Sequence, residues 1–201
     1  MYKYKLYFYY IIMNIVVACC KNKGIGFKNA LPWRLKKELN YFKYLTKGNN
    51  NAVIMGKNTC LSIKNPLPKR SNFVLSSTLK ENYNNFNIIR KIDDMPMDNY
   101  NNIWVIGGES IYNSLIDDER VCSIFFTQIE NDFKCDTFFP DIPNDYKKIY
   151  KSKKYNENRC NYTFQVYVNE KNVLKHTKKF NNYTLRYINK IRIAEYLSHG
   201  P

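Results

Sequence analysis

The chain has 201 residues, enough for one domain with a sizeable core. With 44% hydrophobic and 24% charged residues, two Trp, 18 Tyr and 12 Phe, it falls outside the disordered, collagenous and coiled-coil classes and reads as globular. Its 32 Lys and Arg against 17 Asp and Glu give a net charge of +15, which invites a nucleic-acid reading; Lys, Asn, Ile, Tyr and Phe are heavily used in loops and apolar runs alike, so compositional drift is the preferred explanation.

At the amino terminus, Met1-Tyr-Lys-Tyr-Lys5 before an apolar stretch resembles a secretory signal, and Val17-Ala18-Cys19 resembles a lipoprotein cleavage site. The apolar run from Leu6 to Cys20 is broken by Asn14 and falls short of the roughly 18 residues of a membrane span. Met13 directly precedes Asn14-Ile-Val-Val-Ala-Cys-Cys20, whose β-branched content marks a buried strand. Residues 1–13 are therefore read as an extension, with translation from Met13 as one explanation of it. Cys19 and Cys20 would point to opposite faces of that strand, and the cysteines show neither a C-x-x-C pair nor ligand spacing with His176 or His199. Free thiols in a reducing compartment are expected, and no metal site.

Further strands are read at 52–55, 72–76, 87–90, 103–106, 121–129 and 161–168, with helical stretches between them. The all-apolar runs at 52–55 and 103–106 read as parallel strands covered on both faces. The last two runs, separated by turn residues such as Pro140-Asp-Ile-Pro143, read as an antiparallel edge. The expected fold class is α/β: one domain over 14–168, a mostly parallel central β-sheet with an antiparallel edge and helices on both faces. Residues 169–201 are polar and basic, with only a loose helical stripe at Leu185, Ile188, Ile191, Ala194 and Leu197, and read as a tail or linker.

The helix read at 35–46 places Leu35, Leu39, Phe42 and Leu45 on one core-facing stripe, with Glu38 among them. A carboxylate there is costly unless paired, hydrogen-bonded or protonated. One that holds a proton near neutral pH can bind an amidine-like ring or help deliver a proton; the alternative is a buried Glu satisfied by backbone. The loop before it, Gly24-Ile25-Gly26-Phe-Lys-Asn29-Ala-Leu31-Pro32-Trp33, lacks the third glycine of a dinucleotide fingerprint, since Asn29 stands in its place. Pro32 stiffens the approach to the helix and the Trp33 indole offers a donor beside the carboxylate. Two strand–Gly–helix turns, Met55-Gly56-Lys57-Asn58-Thr59 and Val105-Ile106-Gly107-Gly108-Glu109-Ser110, suit phosphates and together point to a dinucleotide. No acidic residue follows the 52–55 strand, and Lys57, Ser76 and Ser77 favour an extra phosphate, hence NADPH over NADH.

From about Asn14 to Val168 the chain resembles the dihydrofolate reductase family. The resemblance rests on motifs in order: Ile15-Val-Val-Ala18, Gly24-Ile-Gly26 through Leu31-Pro-Trp33, Glu38 with Phe42, Val53-Ile-Met-Gly-Lys57, Pro66-Leu-Pro-Lys-Arg70-Ser-Asn72, Val74-Leu-Ser76, Trp104-Val-Ile-Gly-Gly108 with Tyr112, and Phe126-Thr127 through Asp136-Thr-Phe-Phe-Pro140. It implies hydride transfer from NADPH to 7,8-dihydrofolate, with or without a polyglutamate tail, giving tetrahydrofolate for one-carbon and thymidylate metabolism. By that resemblance Glu38 binds the pteridine and assists protonation, Thr127 hydrogen-bonds Glu38, and Trp33 holds an ordered water. Leu31 and Phe42 pack on the folate, Ile63 and Leu67 join its pocket, and Arg70 pairs with its α-carboxylate. Val16, Val17, Ala18 and Ile106 line the pteridine and nicotinamide pockets. Ile25, Asn29, Gly56, Lys57, Asn58, Thr59, Ser76, Ser77, Gly107, Gly108, Glu109, Ser110, Ile111 and Tyr112 are the remaining cofactor residues, with a cis Gly107–Gly108 peptide and residues 20–33 as a lid.

Cys60 stands where the family often has Trp and reads as a buried small hydrophobe. Residues 93–99, which include Pro96, read as a shortened or irregular element. A lipoprotein cut before Cys19 would remove Val16, Val17 and Ala18, so a cytoplasmic monomer without membrane association is expected, with fusion or partnership to thymidylate synthase open. The related reductase of riboflavin synthesis fits Leu31-Pro-Trp33 and Glu38 poorly. The reading from another class is an inactive domain whose basic tail binds nucleic acid: Lys171, Lys175, Lys178, Lys179, Arg186, Lys190 and Arg192 outnumber Glu170 and Glu195 there.

Overall fold

The structure, a computed structural model, describes residues 12–81 and 83–176. In chain order the strands are β1 (Met13–Cys19), β2 (Gly24–Gly26), β3 (Asn51–Gly56), β4 (Ser71–Leu75), β5 (Asn87–Ile89), β6 (Asn102–Val105), β7 (Val121–Ile129), β8 (Thr137–Phe138), β9 (Tyr146–Lys151), β10 (Tyr155–Glu157) and β11 (Cys160–Asn169). The helices are α1 (Lys36–Thr46), α2 (Lys57–Ile63), α3 (Glu109–Leu115) and α4 (Glu170–His176). Among the described residues, nine strands form one sheet in the order β10-β11-β7-β1-β6-β3-β4-β5, with β9 also on β11; β2 and β8 make a separate pair. Strands β7, β1, β6, β3, β4 and β5 run parallel, and β11 turns antiparallel to β7, β9 and β10. This is the mostly parallel sheet with an antiparallel edge that the sequence predicts.

Strand alternation divides the apolar side chains between two cores. Met13, Ile15, Val17 and Cys19 of β1 enter one, whereas Val16 and the following Cys20 enter the other, so the adjacent thiols do face opposite ways. Leu35 at the N-cap of α1, Tyr41 and Leu45 from α1 and Cys60 from α2 cover the second core; Ile111, Tyr112 and Leu115 from α3 cover the first. All six cysteines are free, and Cys60 is fully buried. The register of β1 on β7 slips between Met13 and Asn14, which leaves Cys122 without a β1 partner in that ladder; its side chain enters the core opposite to that of Val121.

Several sequence readings shift. Met13 is fully buried, donates its N–H to Arg120 O at 2.8 Å and pairs with Ile103 and Val121, while Val173 of α4 is fully buried, so the folded unit reaches past both expected limits, 14 and 168. The stripe on α1 does not run wholly into the core: Leu39 is 57% exposed and Phe42 half-buried, and Tyr41 is buried instead. Residues 93–99 hold short 3-10 turns at Ile92–Asp94 and Met97–Asn99, an irregular element as predicted. Of the tail cations, Lys178, Lys179, Arg186, Lys190 and Arg192 lie outside the described residues, as do residues 1–11 and the stripe from Leu185 to Leu197.

Candidate active site

A cleft of about 1120 Å³ opens between the loop after β1, helix α1 and the carboxyl ends of β3, β4 and β6. Val16, Val17 and Ala18 form its floor; Ile25, Asn29 and Leu31 come from the loop that β2 and β8 tie together; Glu38, Leu39 and Phe42 come from α1. Chain crossovers place these ends together, the usual position of a ligand site in an open parallel sheet.

Glu38 is only 7% exposed, and burial pushes its carboxyl up to about 7, opposed by the Thr127 hydrogen bond and reinforced by the Glu157 charge. Thr127, buried on β7, donates its Oγ1 to Glu38 Oε1 at 3.5 Å. Thr127 does not line the cleft, nor does Trp33; both sit behind it. Trp33 is buried against Phe133 at a ring separation of 5.4 Å, and its Nε1 has no hydrogen-bond partner among the described residues. A buried indole N–H is costly to leave without an acceptor.

Gly56, Lys57, Asn58 and Thr59 line the cleft at the end of β3, and Gly108, Glu109, Ser110 and Tyr112 at the end of β6. Gly107 and Ile111 lie just behind this wall. The two turns are stitched together: Gly56 N–H donates to Gly107 O at 2.7 Å, and a Cβ on Gly56 would stand 2.9 Å from Ile111 Cγ1. The Gly107–Gly108 peptide is cis, and Gly107 has φ +109 with Tyr112 packed where a Cβ would be. Tyr112 in turn donates its hydroxyl to Val16 O at 2.9 Å, tying α3 to the cleft floor.

Beyond β4, Ser76, Ser77 and Thr78 line the same cleft, Lys57 Nζ donates to Thr78 Oγ1 at 3.0 Å, and Arg90 Nη1 donates to Ser76 O. At the other end, Ile63 and Leu67 line the cleft, while Arg70 stands outside it, donating Nη1 to Thr46 Oγ1 and Nε to Pro68 O at 3.1 Å. Burial lowers the Arg70 guanidinium from its ordinary value, which still leaves it charged. Asn72 shapes this loop: its Oδ1 accepts from Leu67 N–H and its Nδ2 donates to the carbonyls of Leu67 and Arg70, each at 2.9 Å.

The sequence reading missed Gly26, Ala30, Leu39, Ser62, Leu75, Thr78, Asn113 and Thr137 as cleft residues. Thr78 had a signal, since it extends the hydroxyl run Ser76-Ser77. Leu39 had none, because its spacing is that of a core residue.

A sequence profile described as dihydrofolate reductase matches residues 12–169, most of the chain. The chain belongs to the dihydrofolate reductase family. It is 35% identical over 133 residues to a dihydrofolate reductase of Aedes albopictus, covering 57% of this chain and 72% of that protein. A dihydrofolate reductase of Drosophila melanogaster is 38% identical over 131 residues, covering 57% and 71%. A bifunctional dihydrofolate reductase-thymidylate synthase of Paramecium tetraurelia is 32% identical over 163 residues, 78% of this chain and 34% of that one. Membership makes the chain an oxidoreductase that reduces dihydrofolate, and the family implies a nicotinamide cofactor. The reading as an inactive, nucleic-acid-binding domain is not favoured. Among the described residues, no group of three His, Cys, Asp or Glu is placed to hold a metal ion, and no helix is long and apolar enough to cross a membrane.

Proposed function

We propose that the chain reduces 7,8-dihydrofolate to 5,6,7,8-tetrahydrofolate with NADPH, and that Glu38 both seats the pteridine and holds the proton the reaction consumes. The observation that carries this reading is a buried carboxyl at the inner wall of the cleft whose pKa lies near 7, so that both protonation states are populated at working pH.

The residues present fit NADPH: two glycine turns at the carboxyl ends of β3 and β6 bring Gly56 and Gly108 to the cleft, with Lys57 and a hydroxyl run on the β4 side. When bound, the cofactor supplies the hydride. Lys57, Ser76, Ser77 and Thr78 would hold its extra phosphate, and Asn58, Thr59, Glu109 and Ser110 would hold the rest of the dinucleotide with the backbone of Gly107 and Gly108. Val16, Val17, Ala18 and Ile106 form the wall on which the two rings meet, which replaces a bimolecular encounter with a fixed approach.

On the substrate side, Phe42, Ile63 and Leu67 exclude water from the folate, and Leu31, 56% exposed on the loop 20–33, is placed to cover it. Thr127 fixes the Glu38 rotamer, and Trp33 Nε1 offers its hydrogen beside it. Arg70, already braced by Thr46 and Pro68, stands just past Leu67 where the substrate carboxylate would lie. The catalytic unit is residues 14–168 together with Met13 and α4. Six free cysteines support a reducing, cytoplasmic setting, and the bifunctional Paramecium relative supports a partnership with thymidylate synthase.

The test is NADPH consumption with dihydrofolate. Glu38→Gln keeps the hydrogen-bonding shape but cannot take up or give the proton; kcat/KM is expected to fall at least about a hundredfold, within the usual range for general acid–base groups. Full turnover in Glu38→Gln would overturn the role of Glu38. Equal kcat/KM with NADH and NADPH in the wild type would overturn the phosphate assignment.

A further inference from the structure

Helix α1, which carries Glu38 as its third residue, has no cap of its own: its N-cap residue is Leu35, whose side chain cannot accept a hydrogen bond. The first turn of a helix leaves N–H groups without intrahelical partners. Here they are taken from far along the chain. Glu157 Oε1 accepts from Lys36 N–H at 2.6 Å and Oε2 from Lys37 N–H at 3.1 Å. One residue on, Asn158 Nδ2 donates to Arg34 O at 2.6 Å. The two side chains thus hold residues 34, 36 and 37, the stretch that links Trp33 to Glu38.

The turn that presents them is itself fixed. Glu157 pairs with Cys160 across the β10–β11 hairpin, so Asn158 and Arg159 form a two-residue loop, with φ of 51° and 63°. Tyr162 on β11 donates its hydroxyl to Glu157 Oε2 at 3.4 Å, and Tyr155 and Tyr162 anchor the hairpin in the core on which α1 lies.

We infer that the Glu157–Asn158 hairpin is a positioning clamp for the proton-carrying carboxylate, setting where Glu38 stands through the lead-in to α1 and facing it with the negative charge of Glu157. The inference rests on the reading of Glu38 as the proton-holding group. The geometry predicts two separable effects, one of placement and one of charge. For placement, a bidentate carboxylate on two successive amides fixes the first turn, and with it the height of Glu38 in the cleft. For charge, the groups facing Glu38 are Thr127 on β7, Tyr112 on α3, Tyr162 on β11 and Glu157 on β10. Burial pushes both phenols well up, so they stay neutral through the working range. Glu157 is then the anion of this set, and its charge favours the protonated form of Glu38.

The experiment uses the full chain and reads kcat/KM for dihydrofolate against pH, with thermal midpoints alongside. In the wild type the rate falls as pH rises through the Glu38 pKa, near 7. Glu157→Gln keeps one acceptor oxygen and removes the charge; its alkaline limb is expected to move to lower pH by roughly half a unit, about a threefold loss of kcat/KM on that limb. Asn158→Ala removes a neutral bond; kcat/KM is expected to fall several-fold at every pH with the limb in place. A Glu157→Gln protein with a lowered thermal midpoint but an unmoved limb and unchanged kcat/KM has lost only a cap, which overturns the inference. If Glu157→Gln does not fold, Asn158→Ala decides, and wild-type kcat/KM in it overturns the inference. Glu38→Gln separates the two readings: persistence of the limb there would strike at the role of Glu38, whereas its disappearance together with an unmoved limb in Glu157→Gln would strike at the clamp alone.

Discussion

Keeping a carboxyl at the inner wall of an apolar cleft has a cost that depends on pH, and Glu38 sets its sign. Its pKa is about 7 when folded against 4.5 for an unburied carboxyl. Below about 4.5 the group is protonated in both states and folding carries no penalty. Between 4.5 and 7 the unfolded chain releases the proton and the folded one keeps it, so stability falls by about 1.4 kcal/mol per pH unit; above 7 the full cost, about 3 kcal/mol, remains. Glu38→Gln removes the ionisation. Its stability is expected to match the wild type near pH 4 and to exceed it by about 3 kcal/mol at pH 8, read from urea midpoints at the two values. A variant no more stable than wild type at pH 8 would show that Glu38 is ionised without penalty. The Thr127 bond works in the opposite direction, since a hydroxyl donated to Glu38 favours the anion, and at 3.5 Å it is too long to cancel burial. If Glu38 holds the proton as proposed, stability and activity are opposed at one residue.

At the scale of elements, the β6–α3 turn shows why one glycine of a pair matters more than the other. Gly107 has φ +109, and a Cβ there would lie 3.1 Å from the Tyr112 ring and hydroxyl, whereas a Cβ on Gly108 would lie 3.3 Å from Thr59 Oγ1 at an ordinary φ of −87. Gly107→Ala is expected to cost about 2–3 kcal/mol and to displace Tyr112 from Val16 O, weakening cofactor binding; Gly108→Ala should cost markedly less. Thermal midpoints and cofactor titration of the two variants check this, and equal losses would refute it. Such turns were legible in the sequence because glycine leaves a signature, and the central strands were legible because β3 and β6 are continuous apolar runs. Strands β2, β8, β9 and β10 were not read. Gly24–Gly26 and Thr137–Phe138 are too short to show a period, and Tyr146–Lys151 carries three lysines along an edge, where solvent accepts what a buried strand would not. The periodicity of α1 revealed which side was apolar but not that this side is divided between core and cleft. Nor does any local pattern show that the cap of α1 is Glu157, because that contact joins residues 121 apart.

For the whole molecule, the surplus of 15 positive charges acts mostly through the surface. Ion pairs such as Lys147 with Glu170 and Lys154 with Glu130 are largely exposed and each contributes at most about 1 kcal/mol. Two cations of the segment after 168 are occupied within the fold: Lys171 pairs with Asp145 and Lys175 with Glu119. The helix they sit on is an integral part of the domain. Val173 is fully buried in the core shared with α1 and α2, and Asn172 Nδ2 donates to Val121 O at 2.9 Å, docking α4 on β7. Val173→Ala removes two methyl groups from a closed core and is expected to cost about 2 kcal/mol. Leu174, the next residue, is 53% exposed, and Leu174→Ala should change stability by less than about 0.5 kcal/mol. If α4 instead served only as the start of a basic, solvent-facing arm, the two substitutions would be equally mild and Val173→Ala would unfold at the wild-type urea concentration.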